Sequence, residues 1–130
     1  MDILLVEKER LVRDQVKVGL QQFPEFTITV GEGYAAINEL RQRQFDCIFV
    51  GAEGKGPEGL RLLKHLRSFD RNTEVVVIAN GRAAKDLATE KSRLNITSFL
   101  TTPIDATEFF RLVARLRARR QDAEPAGRGR

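Results

Sequence analysis

The sequence predicts an α/β fold in which a doubly wound, five-stranded parallel sheet is flanked by five helices, and three observations carry that expectation. Short runs rich in Val, Ile, Leu and Phe alternate five times with longer stretches of helical periodicity. Several of the short runs are apolar at every position, as strands covered on both faces must be. A chain of 130 residues buries roughly two-thirds of its unfolded surface, which suits one core of ordinary size and leaves no room for a second.

The elements follow in order. Ile3 to Val6 reads as the first strand, and Leu11, Val12, Val16, Val18 and Leu20 mark the first helix. Pro24 ends that helix, because proline restricts the residue before it and cannot continue the hydrogen-bond ladder. Phe26 to Val30 forms the second strand, and Ala35, Ala36, Ile37 and Leu40 mark the second helix. Between them Gly31-Glu32-Gly33 serves a turn, since the third glycine of a dinucleotide fingerprint is missing. The third pair is Cys47 to Val50 followed by Leu60, Leu62, Leu63 and Leu66; the fourth is Val75 to Ile78 followed by a weaker helix, Ala83 to Leu94. Ser98 to Thr101 is the fifth strand, closed by Pro103. Asp105 is placed to cap the last helix with Glu108 three residues on, a capping-box pattern. Phe109, Leu112, Val113 and Leu116 give that helix its apolar face, and Arg111, Arg115, Arg117, Arg119 and Arg120 complement the dipole toward its end. Residues 1–120 form the expected domain, and Gln121 to Arg130, mixing Pro, Gly and charge, the expected disordered basic tail or linker.

Composition excludes several classes of function. The longest apolar runs fall far short of the ~20 residues that span a bilayer. Met1-Asp2 leads straight into a strand without a signal-peptide core, so the expected location is cytoplasmic. Cys47, the single cysteine, lies within an apolar strand and packs as a small hydrophobe. The net charge of +4 is local, because seven arginines between Arg111 and Arg130 face only Asp122 and Glu124. Such a tail attracts phosphates nonspecifically and in a salt-dependent way. Without a recognition helix or aromatic stacking platform, specific nucleic-acid binding is not expected. Gly51-Ala52-Glu53-Gly54-Lys55-Gly56 lacks the spacer and the hydroxyl residue of a nucleotide-binding loop, and His65, between basic neighbours, reads as solvated. No pattern for nucleophilic, paired-carboxylate or metal hydrolysis is present, so no enzyme and no cofactor are expected.

One layout is specific. The strand Phe45 to Val50 ends at Gly51, and a loop reaching Gly59 opens the helix Leu60-Arg61-Leu62-Leu63-Lys64. This resembles the bacterial response-regulator receiver domain, the CheY-like family of flavodoxin-like fold with strand order 2-1-3-4-5. In that family a phosphate-accepting aspartate stands eight residues before the loop glycine, at the position of Gly51. The resemblance places an acidic pair at Glu7 and Lys8, a Ser or Thr at Ala79 (Asn80 in the alternative alignment), and a Lys-Pro pair at Thr102-Pro103. Of these positions only Glu7 keeps a carboxylate, and Lys8 sets an ammonium where the family binds magnesium. Glycine offers no nucleophile for phosphoryl transfer. Glu53, two residues beyond Gly51, is read as a solvated loop acid rather than a substitute acceptor.

The resemblance thus implies a pseudo-receiver that signals without phosphate, by binding a protein partner, a second copy of the chain included. The surface it implies joins the fourth helix, fifth strand and fifth helix, through Lys85, Lys91, Phe99, Glu108, Arg111 and Arg115. Phe99 stands where the family often carries a rotating aromatic, and reads here as a core or contact residue. Two alternatives stay open: a small molecule or nucleotide at the strand ends could replace phosphate, or the domain could belong to a transcription regulator whose basic tail touches DNA.

Overall fold

The computed structural model describes residues 1–52 and 58–128, with side-chain surroundings for all of these except 33–34, 58–59 and 120–128. Strand and helix alternate throughout: β1 (Asp2–Val6), α1 (Arg10–Leu20), β2 (Thr27–Val30), α2 (Gly33–Gln42), β3 (Cys47–Gly51), α3 (Glu58–Arg67), β4 (Glu74–Asn80), α4 (Gly81–Leu87), β5 (Ser98–Thr102) and α5 (Ala106–Arg128). All strand pairs are parallel, in the order β2-β1-β3-β4-β5.

Alternate residues of the central strands feed two cores on opposite faces of the sheet. Ile3, Leu5, Cys47, Phe49, Val76, Ile78 and Leu100 meet α1 and α5 through Val16, Leu20, Phe109, Leu112, Val113 and Leu116. Leu4, Ile48, Val50, Val75, Val77 and Ala79 meet α2 and α3 through Ala36, Leu40, Leu62, Leu63 and Leu66. Two-sided burial explains the unbroken apolar runs of β3 and β4. At the sheet edge β2 is the least buried strand, with Thr27 and Val30 exposed and Ile28 and Thr29 half-buried.

The Cys47 thiol is fully buried, and burial first, then the carboxylates of Glu74 and Asp46, push its pKa far up, which suppresses the reactive thiolate. The fourth helix departs from expectation. It ends at Leu87, and a 3₁₀ turn at Ala88–Glu90 and further turns take the chain to Leu94. No residue of α4 is fully buried, so packing does not sustain a longer helix. At the other end, α5 continues to Arg128, through most of the segment expected as a tail. Gln121, Ala123 and Glu124 are good helix formers that extend an existing helix without a new nucleation cost.

Candidate strand-end site

The carboxyl ends of parallel strands converge on one rim, which is where ligands of such sheets bind. Val6 pairs with Val50, so Glu7 and Gly51 follow side by side, while Asn80 pairs with Thr102. The decisive geometry lies between the first two. A Cβ placed on Gly51 would lie 2.7 Å from Glu7 Cδ and 2.9 Å from Oε2, and nearer still to Oε1. Glu7, only 6% exposed, therefore lays its carboxylate in the space a side chain at position 51 would need. The Glu9 N–H, donating to Glu7 Oε2 at 2.8 Å, holds it there.

Around this pair the other sequence-predicted residues take varied places. Lys8 is exposed. Ala79 is fully buried in the second core, while Asn80 is exposed and accepts from the Ala83 N–H at 2.7 Å as the cap of α4. That division leaves Ala79, with no hydroxyl, at the inward position of the β4 end. Thr102 is half-buried, and a cis peptide joins it to Pro103. Glu53 and the glycine loop at 53–57 lie outside the described residues. Among the described residues no three His, Cys, Asp or Glu side chains converge as a metal site. The Glu9 N–H engages Oε2 of Glu7, and exposed Lys8 follows it in the chain.

The surface implied by the resemblance is assembled in part. Phe99 is half-buried and packs on the second core, as do Ala83, Ala84 and Leu87 of α4. Lys85, Lys91, Arg111 and Arg115 are exposed. Glu108 turns inward: its Oε1 accepts from the Thr101 hydroxyl at 2.9 Å and from the Thr101 N–H at 3.1 Å, tying α5 to β5. Asp105 Oδ2 accepts from the Glu108 N–H at 2.8 Å, as expected of a cap. The reciprocal half of a capping box is replaced by the contact with Thr101.

Sequence reading missed several residues. Buried Arg67 at the end of α3 donates to the carbonyls of Leu94 (2.7 Å), Thr73 (2.7 Å), Asn95 (2.9 Å) and Asp70 (3.1 Å). Burial, the largest influence, lowers its pKa, an effect Asp70 opposes. Two of its acceptors lie 27 and 28 residues away in the chain, so no local pattern announces them. His65, read as solvated, is half-buried, lies 2.6 Å from Arg41 through Nε2 and meets Phe69 edge-on.

Known proteins share this architecture. Residues 3–114 match the response regulator receiver domain. A protein-glutamate methylesterase/protein-glutamine glutaminase of Rhodospirillum centenum is 25% identical over 109 residues, covering 82% of this chain but only 28% of that protein. Among solved structures, the response regulatory domain of Klebsiella pneumoniae MrkE aligns with a TM-score of 0.81 at 18% identity, covering 94% of this chain and 99% of that one. The receiver domain of Brucella abortus NtrX aligns at 0.75 and 22% identity, covering 88% and 97%. Vibrio cholerae chemotaxis protein CheY4 aligns at 0.74 and 18%, with the same two coverages, 88% and 97%. With the family match spanning nearly the whole sheet and its helices, this chain belongs to the response regulator receiver family of signal-transduction domains.

Proposed function

We propose that this domain is a phosphorylation-independent pseudo-receiver, a protein-interaction module of bacterial signal transduction that works in the cytoplasm. One observation carries the reading: the Glu7 carboxylate lies where the side chain of a phosphoacceptor at position 51 would stand. The acceptor is therefore not merely deleted. Its place is taken by a neighbouring anion, which repels an incoming phosphoryl group and fills the room it needs. Ala79 brings no hydroxyl to the end of β4, and Thr102 brings no cation to the end of β5, to bind a phosphoryl group once attached. Partner binding is assigned to the face of α4, β5 and α5, where Lys85, Lys91, Arg111 and Arg115 are exposed beside half-buried Phe99.

The test is to incubate the pure domain with acetyl phosphate and magnesium, and separately with beryllium fluoride, following intact mass and backbone amide shifts. The expected outcome is unchanged mass and no saturable shift at Glu7, Gly51 or Phe99. A phosphoryl adduct, or a saturable shift centred on those residues, would overturn the reading.

A further inference from the structure

Where β5, α5 and the segment after the 3₁₀ turn meet, a cleft of about 270 Å³ is lined by Lys91, Thr97, Ser98, Leu112, Arg115 and Arg119. Its floor is apolar, because Leu112 is only 2% exposed. Three cations stand around that floor, and few carboxylates answer them. Glu74 pairs with Arg119 at 3.1 Å and also accepts from Thr97 at 2.8 Å. Glu90, the nearest acid in sequence to Lys91, is paired with Arg93, and Glu108 is bonded to Thr101. Lys91 and Arg115 thus have no ion-pair partner among the described residues, and the cleft keeps a surplus of positive charge.

The arginines are also ordered. Arg111, Arg115 and Arg119 recur every four residues along α5 and are all exposed, so they form one stripe with a spacing of about 6 Å. An extended peptide places every second side chain about 6.6 Å apart on one face. We infer that this cleft and stripe bind an acidic, extended segment of the partner protein, carboxylates at alternate positions reading Arg111, Arg115 and Arg119 while an intervening residue rests over Leu112. The inference rests on the interaction surface proposed above and adds the chemistry of its partner. Two facts favour this occupant. A second copy would have to set carboxylates against this stripe, and on its own copy of this face Glu90 is already paired with Arg93 and Glu108 is bonded to Thr101. A cleft of this volume admits single side chains rather than a nucleic-acid duplex.

The probe is an alternating Glu-Ala peptide added to the labelled domain at moderate salt, with a Lys-Ala peptide and a mixed-sequence DNA duplex run in parallel. Saturable amide shifts are expected at Lys91, Thr97, Ser98 and Arg115 with the Glu-Ala peptide alone. Arg115→Glu and Lys91→Glu should each weaken that binding about tenfold or more, the loss typical of a charge pair turned repulsive. Arg10→Glu, on the remote helix α1, should leave it unchanged. Equal loss in the Arg10→Glu control, no saturable shift, or tighter binding of the duplex at the same residues would each overturn the inference. Phosphoryl acceptance is measured separately, so an adduct there refutes phosphate independence while leaving the cleft's specificity to stand or fall on these titrations.

Discussion

At Gly51 the Glu7 carboxyl occupies the volume beside the Cα that a side chain would take. Placing an acidic residue there is therefore a steric and electrostatic problem. Gly51→Ala forces Glu7 to swing out and give up the Glu9 N–H, a loss of about 1 kcal/mol. Gly51→Asp adds repulsion between two carboxylates, so it should unfold at lower denaturant than Gly51→Ala and still accept no phosphoryl group from acetyl phosphate. A double variant, Gly51→Asp with Glu7→Ala, should recover part of that stability. Arg67 presents the opposite case of a charge whose burial is matched by acceptors. Arg67→Met leaves four carbonyls without their donor and should cost at least about 2 kcal/mol in urea unfolding. Beside it, burial pushes the Asp70 carboxyl up, but the Thr73 hydroxyl, the Asn72 and Thr73 N–H groups and Arg67 outweigh burial and hold its pKa below the ordinary carboxylate value. A depressed folded pKa contributes stability that is present above the unfolded value of about 3.9 and lost as pH falls through the folded one. Unfolding curves from neutral pH down into that acid window should show the loss in the parent chain and a smaller one in Asp70→Asn.

Among the elements, α1 and α5 are brought together by a glycine. A Cβ on Gly19 would lie 2.6 and 2.8 Å from atoms of the buried Phe109 ring, so only a bare backbone lets the ring seat against α1. Gly19→Ala should gain less than about 1 kcal/mol of helix propensity at the last turn and lose about 1–3 kcal/mol to overpacking. A net lowering of thermal stability, with altered near-ultraviolet signals from Phe109, is the outcome to measure. Asp105 and Glu108 then fix where α5 begins and how it meets β5. The strands were legible from sequence because a two-sided parallel sheet writes unbroken apolar runs, and α1, α3 and α5 because their apolar faces repeat at helical spacing. The fourth helix was legible in its place but not in its extent, which depends on burial it never obtains.

For the whole molecule, the described core ends at Leu116, while α5 runs a further twelve residues, about 18 Å, to Arg128. Arg117 pairs with Glu25 at 2.6 Å and lies over the Phe23 ring, and Arg119 pairs with Glu74, so the helix is tied to the domain as far as that point. We place the domain boundary near residue 120, and deletion of residues 121–130 should leave the thermal midpoint within about 2 °C of the parent, a change below about 0.5 kcal/mol. A larger fall would extend the domain into the helix end. By itself the sequence determined the order of elements, the two-faced sheet, the family and the glycine at the end of the third strand, because apolar periodicity and strand-end residues are local properties of the chain. Only the tertiary structure decided that the Glu7 carboxyl lies against Gly51, that Glu108 turns inward, that Arg67 binds loops far along the chain, and that Lys91, Arg115 and Arg119 share one cleft. Each of those depends on register between strands or on contacts across many residues, where side-chain reach and burial, rather than sequence spacing, choose the partner.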